Sequence, residues 1–106
     1  MARTLLNVPK TAQRGEVIEV RSLIAHPMDS GFQTDAQGRT VPRNIIKRLA
    51  CRYNGELVFG AELFPAISAN PYVVFYTVAT DSGTLEFEWQ GDNGFAQTER
   101  VAITVT

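Results

Sequence analysis

Short apolar runs separated by turn residues recur about every ten residues along almost the whole chain. No window keeps the apolar period of an amphipathic helix, so the runs predict β-strands joined by short connections. The predicted strands cover residues 3–9, 16–25, 44–54, 56–64, 72–80, 84–90 and 95–105. Seven short strands at this spacing favour an all-β fold, an immunoglobulin-like antiparallel β-sandwich, with residues 1–106 as a single domain. The paired cysteines of antibody domains are missing, because the chain has one cysteine.

Three connections have the composition of tight hairpin turns. Asn54-Gly55 is the pair that favours a type I′ turn, and residues 81–83 and 91–94 are Gly-containing and lie between apolar runs. Each is expected to join two neighbouring antiparallel strands.

Alternation of side chains assigns the faces of the predicted strands. Leu85, Phe87 and Trp89 point to one face and are expected in the core. In strand 44–54, Cys51 shares a face with apolar neighbours, which favours a small buried hydrophobe over a reactive thiol.

Strand 72–80 differs from the others because both of its faces are apolar. Tyr72, Val74 and Tyr76 alternate with a second apolar set on the opposite face. One face of a sandwich strand normally meets water, so the second face needs a cover. We expect a partner protein there, with Phe64 as a further anchor; the alternative is a loop or neighbouring side chains of the same chain.

The segment 26–43 is longer than most connections, and it is rich in proline, glycine and turn-forming residues. Its composition predicts an ordered recognition loop. Its candidate contact residues are His26, Met28, Asp29, Asp35 and Arg43. The alternative is that the loop only closes one end of the sandwich.

Several function classes are disfavoured by the composition. One Cys and one His supply neither an intrachain disulfide nor a set of metal ligands, so no metal and no cofactor are expected. The net charge of −1 and the scattered basic residues disfavour nucleic acid as a partner, and no apolar run is long enough for a membrane span.

No catalytic residues are expected, although His26 with a neighbouring Asp leaves open the alternative of a hydrolase or isomerase. The short start of the chain, lacking a secretory signal, by itself indicates the cytoplasm.

An ordered set of six segments resembles the SoxZ family, the small subunit of the SoxYZ carrier of thiosulfate oxidation. The segments are His26-Pro27-Met28-Asp29-Ser30-Gly31, the Asp35 to Gly38 turn, Val41-Pro42-Arg43, Tyr53-Asn54-Gly55-Glu56, Asn70-Pro71-Tyr72 and Gly83-Thr84-Leu85-Glu86-Phe87-Glu88-Trp89. The segments keep the order of the family, and the resemblance as a whole runs from about residue 5 to the end of the chain.

The resemblance implies a non-catalytic partner of SoxY in a heterodimer. In that family SoxY carries the covalent sulfur intermediates on a cysteine of its own mobile arm, and other sulfur-oxidation enzymes visit the carrier transiently. This chain ends Ala102-Ile103-Thr104-Val105-Thr106, without a Gly-Gly-Cys segment, so it is not expected to supply that arm. The resemblance also implies that the protein acts in the periplasm and that it is exported together with SoxY.

Two other readings of the residues stay open at this point. One is a stand-alone immunoglobulin-like ligand-binding or adhesion module that uses the 26–43 loop, and the other is the enzyme built around His26. The residues do not decide whether isolated chains self-associate.

Overall fold

A computed structural model describes all 106 residues. The regular elements of the fold are eight strands and one short 3₁₀ turn, joined by loops. The strands are β1 (Thr4–Asn7), β2 (Thr11–Ala12), β3 (Val17–Ile24), β4 (Ile46–Tyr53), β5 (Glu56–Glu62), β6 (Tyr72–Val78), β7 (Gly83–Gly91) and β8 (Ala96–Val105). The 3₁₀ turn covers Asp92–Gly94. No helix has the length and apolarity that crossing a membrane requires.

The strands form two sheets around a shared core. One sheet has the order β1-β3-β6 and the other the order β2-β8-β7-β4-β5. This arrangement confirms the predicted all-β sandwich.

The start of the chain differs from the prediction in two ways. The predicted strand 3–9 ends at Asn7, and a second short strand, β2, joins the other sheet after Pro9. Proline has no N–H to donate to a ladder, which favours a break at this point. β2 pairs in parallel with β8, with Thr11 opposite Thr104, so the sandwich is not purely antiparallel.

Two of the three predicted hairpins are confirmed and the third is wrong. Asn54 and Gly55 both have positive φ, as a type I′ turn requires, and join β4 to β5. Residues 91–94 join the paired strands β7 and β8. Residues 81–83, by contrast, lie on a crossing from one sheet to the other, because β6 pairs with β3 and β7 pairs with β4 and β8.

The core is built from the inward side chains of both sheets. Leu85, Phe87 and Trp89 are buried, as alternation predicted. Phe75 of β6 stacks on Phe59 of β5 with ring centroids 4.3 Å apart, and so it joins the two sheets directly. Burial of such aromatic surface is a main source of stability in a domain of this size.

Cys51 lies in the middle of this core, on β4, and is fully buried. Burial raises the pKa of its thiol to about 12, so the reactive thiolate is scarce at neutral pH. The predicted inward position of Cys51 is confirmed.

We therefore expect Cys51 to resist alkylation in the folded protein and to carry no sulfur adduct. Mass spectrometry after iodoacetamide treatment at pH 8 should show no label on the native chain and full label in denaturant. Replacement of Cys51 by Ala should lower the free energy of unfolding by about 1 kcal/mol, because only one sulfur atom is lost from the packing. A thiosulfonate on Cys51 during turnover would contradict this expectation.

Candidate partner-binding site

The outer face of the three-stranded sheet is an exposed apolar surface, here called the β6 face. The register places Leu5, Leu23 and Tyr72 side by side, then Arg21 beside Val74, Glu19 beside Tyr76, and Val17 beside Val78. Tyr72 and Tyr76 are 55% and 61% exposed, and Val74 is also exposed. The prediction that Tyr72, Val74 and Tyr76 share one apolar face of the strand is confirmed, and no loop of the same chain covers that face.

A polar pair lies in the middle of the β6 face. Arg21 donates to the Glu19 carboxylate, and the Tyr76 hydroxyl donates to the same carboxylate at 3.1 Å. The hydrogen bond from Arg21, helped by that from Tyr76, lowers the pKa of Glu19. The two charges therefore neutralise one another within the apolar surroundings.

The outer face of the five-stranded sheet is charged. Arg100 pairs with Glu86 at 2.8 Å, and Arg52 approaches Glu88 at 3.7 Å across neighbouring strands. Such a face is well solvated and needs no cover. Of the two outer faces, only the β6 face has the apolar character of a protein interface.

Phe64 lies elsewhere on the molecule. It is exposed on the connection from β5 to β6 and lines a cleft of about 380 Å³ together with Arg43, Lys47 and Pro65. No residue of the β6 face lines that cleft. The structure does not bring Phe64 together with Tyr72, Val74 and Tyr76.

The 26–43 loop is ordered by its own hydrogen bonds. The backbone groups of Asp29 and Asn44 bond to each other in both directions at 2.8 and 2.9 Å. One oxygen of Asp35 accepts from the N–H groups of Gln37 and Arg39, each at 2.9 Å, and so closes the loop tip. The backbone of Asp29 and the carboxylate of Asp35 thus both hold the loop in its folded shape.

His26 and Met28, two of the candidate contact residues, are buried. The N–H of Met28 donates to Nδ1 of His26 at 3.0 Å, and the N–H of Ile46 donates to the Met28 sulfur at 3.2 Å. The imidazole packs edge-on against Phe95 at 5.2 Å. Neither side chain offers surface to a partner in this state, and His26 lines none of the larger surface clefts.

Asp92 holds the far end of the loop to the β7–β8 turn. Its carboxylate accepts two hydrogen bonds from the Arg43 guanidinium, both at 2.9 Å, and one from the N–H of Ile45 at 3.1 Å. The Arg43 hydrogen bonds, followed by that from Ile45, lower the pKa of Asp92. Sequence reasoning assigned Asp92 only to a turn, since nothing local indicates a partner so far along the chain.

Other exposed apolar residues were also missed. Leu5 and Val17 lie on the β6 face, and the alternation in their strands could have placed them there. Val78 completes the face, on the side of its strand that alternation already assigned to Tyr72, Val74 and Tyr76. Phe32, at the outer part of the loop, is 88% exposed. Its position after Gly31, among turn residues, was the available signal.

The sequence matches the family of the sulphur oxidation protein SoxZ over residues 6–102. The chain belongs to the SoxZ family. Among curated proteins, none matches this SoxZ-family sequence.

Solved structures with the same fold are distant in sequence. The superoxide reductase (neelaredoxin) of Ignicoccus hospitalis superposes with a TM-score of 0.73 at 15% identity, over 99% of this chain and 82% of that one. The sulfur carrier protein SoxY of Chlorobium limicola f thiosulfatophilum gives 0.67 at 14% identity, over 97% and 78%. At such identities the likeness shows a shared sandwich fold and nothing about activity. In this SoxZ-family chain, no three His, Cys, Asp or Glu side chains lie close enough together to form a metal-binding group.

The buried His26 leads to a pH prediction. Desolvation lowers its pKa below the ordinary 6.5, so the unfolded chain binds the proton more readily than the folded one. Stability should therefore fall as the pH drops from about 7.5 through the unfolded pKa, and this loss should level off below the folded pKa. Urea unfolding between pH 5.5 and 7.5 measures the slope. The His26→Gln variant should show a flatter dependence, and equal slopes in the two proteins would contradict the assignment.

Proposed function

We propose that this SoxZ-family chain is the non-catalytic subunit of a SoxYZ-type sulfur carrier complex and that it binds a SoxY-like subunit through the β6 face. The observation that carries the proposal is the exposed set Tyr72, Val74 and Tyr76, aligned on one outer sheet face. Tyrosine is enriched among the residues that dominate binding energy at interfaces.

The apolar area of the β6 face supplies the affinity in this proposal. Full burial of an aliphatic side chain such as Val74 contributes roughly 1.5–3 kcal/mol. Leu5, Leu23 and Val17 extend the same surface across β1 and β3. A partner that covers this area would remove from water a patch that a soluble monomer seldom exposes.

The Glu19–Arg21 pair supplies specificity. Burying an ion pair costs free energy unless its geometry is good and its remaining oxygens have donors. Here Tyr76 already donates to Glu19, so a covering partner meets a largely satisfied polar group. A partner that placed an unpaired charge against the Glu19–Arg21 pair would bind weakly, so the pair favours one particular subunit over others.

The carrier chemistry belongs to the partner in this proposal. The SoxY-like subunit carries the covalent sulfur intermediates during thiosulfate oxidation, while this chain supplies a docking surface and a rigid body. Cys51 supports that division, because it is buried inside a strand and its thiol is protonated. The complex acts in the periplasm, where the family works.

The 26–43 loop is the proposed contact for the visiting sulfur-oxidation enzymes. Its hydrogen bonds order it in advance, which lowers the entropy lost in a brief encounter. Phe32 supplies an exposed aromatic group in this loop, and Asp29, Asp35 and Arg43 supply its polar side chains. His26 and Met28 support the loop from inside.

The rival functions have less support. A stand-alone ligand-binding or adhesion module should be a monomer without a large exposed apolar face, whereas this chain exposes one. An enzyme built around His26 needs a cleft that holds the imidazole beside a second titratable group. His26 instead packs against Phe95 below the surface.

Replacement of Val74 by Asp tests the partner face. Because Val74 lies beside Arg21, the new carboxylate competes with Glu19 for one guanidinium and adds an uncompensated negative charge to the interface. This should weaken binding of the SoxY-like chain by about 3 kcal/mol or more, roughly a hundredfold in Kd. Calorimetry with purified subunits measures this. Leu57→Asp, which places the same charge at an exposed apolar position of the five-stranded sheet, is the matched control and should bind normally. Undiminished binding by folded Val74→Asp would refute the assignment of the face.

Replacement of Phe32 by Ala tests the loop. Because the side chain is almost fully exposed, the melting temperature and binding of the SoxY-like chain should stay unchanged. Thiosulfate-dependent turnover in the reconstituted pathway should slow several-fold. Phe32→Tyr, which keeps the aromatic ring, should retain activity, and normal turnover by Phe32→Ala would assign the loop to scaffolding alone.

A further inference from the structure

The four sheet edges of this sandwich are protected unequally. Edge strands tend to pair with other chains unless they are short, charged or interrupted by a bulge. β1 and β2 are only four and two residues long. β5 carries Glu56 and Glu62 at its ends and an irregular register opposite Cys51 and Arg52. β6 has seven residues with the sequence YVVFYTV, without a charge, a proline or a bulge.

The hydrogen-bond pattern shows which backbone groups of β6 are free. The N–H of Ile24 donates to the carbonyl of Pro71, and the N–H of Ala79 donates to the carbonyl of Glu16. Because bonded pairs alternate in an antiparallel ladder, the odd-numbered residues of β6 bond to β3. The backbone groups of Tyr72, Val74, Tyr76 and Val78 therefore face the open edge, since no other strand pairs with β6.

The same four residues also carry the exposed apolar side chains of β6. Free backbone donors and acceptors thus coincide with uncovered apolar groups along one strand. A strand added at this edge would bond to the backbone and also contact these side chains across the pair. This coincidence distinguishes β6 from the other three edges.

We infer that the β6 edge binds the β6 edge of a second copy of this chain, in an antiparallel pair about a two-fold axis. With the axis at Phe75, Val74 lies opposite Tyr76 of the second copy and Tyr72 lies opposite Val78. Each exposed aromatic side chain then meets a β-branched one, a favourable cross-strand pair. The four outward residues on each strand give about eight backbone hydrogen bonds.

The β6 edge is self-complementary, which favours a second copy of this chain as its occupant. The edge requires a strand that is uncharged, apolar at every second position and unpaired on one side. β6 itself meets all three conditions, and no other strand of the chain does.

The size of the contact makes the dimer reversible. Seven residues span about 24 Å at the usual rise of a strand. An edge-to-edge contact of this length is at the small end of protein interfaces. The dimer should therefore dissociate on dilution.

The experiment uses the isolated 106-residue chain, so its result does not depend on binding of a SoxY-like subunit. Sedimentation velocity from micromolar to millimolar concentration should show a monomer–dimer equilibrium. Hydrogen exchange by NMR should show that the amides of Tyr72, Val74, Tyr76 and Val78 gain protection as the dimer forms. The amides of Val73, Phe75 and Thr77 should be protected at every concentration.

Val74→Pro removes one edge-facing N–H without touching the ladder to β3, and should weaken the dimer by about tenfold or more. Val74→Thr keeps the N–H and the branched shape, and it should still dimerise. If the proline variant does not fold, the exchange data on the unaltered chain decide the question. A monomer at all concentrations overturns the inference, as does a dimer in which the four amides stay unprotected. Protection that appears only when a SoxY-like chain is added also overturns it, since the edge would then belong to that partner.

Discussion

Packing of Phe75 between the two sheets is the contact on which the rest of the structure depends. Its ring stacks on Phe59 and lies near Phe87, so it links β6 to the five-stranded sheet. Because side chains alternate along a strand, an inward Phe75 requires Val74 and Tyr76 to point outward. The apolar outer face is thus a direct consequence of how the core is built. A shift of β6 by one residue would place the tyrosines in the core and the phenylalanine in water.

Local patterns predicted the strands well and their pairing less well. Alternation correctly placed Leu85, Phe87 and Trp89 inside, and Asn54-Gly55 correctly marked a hairpin. The turn at 81–83 has similar composition, yet it connects different sheets. Turn residues report the local backbone conformation, whereas the choice of neighbouring strand depends on contacts far apart in sequence. The parallel pairing of β2 with β8 is a second feature of this kind.

In the candidate site, too, features set within one strand were predicted, and features set by distant contacts were not. Alternation alone identified Tyr72, Val74 and Tyr76 as one face, because that rule acts within a single strand. The burial of His26 and Met28 depends instead on Phe95 and Ile46, whose positions no local pattern predicts. The sequence indicated an ordered loop but could not distinguish side chains that form its support from those that form its surface.

Long-range hydrogen bonds also join the loop to the segment that leads into β6. The backbone N–H of His26 donates to the side chain of Asn70, and the N–H of Asn70 donates back to the carbonyl of His26, at 2.9 and 2.8 Å. Asn70 is followed by Pro71 and the start of β6, while Arg43 at the other end of the loop is held by Asp92. The loop is thus fastened to both sheets at its two ends. Since each fastening uses paired hydrogen bonds, a subunit on the β6 face and an enzyme at Phe32 would meet surfaces whose separation is set by the folded chain itself.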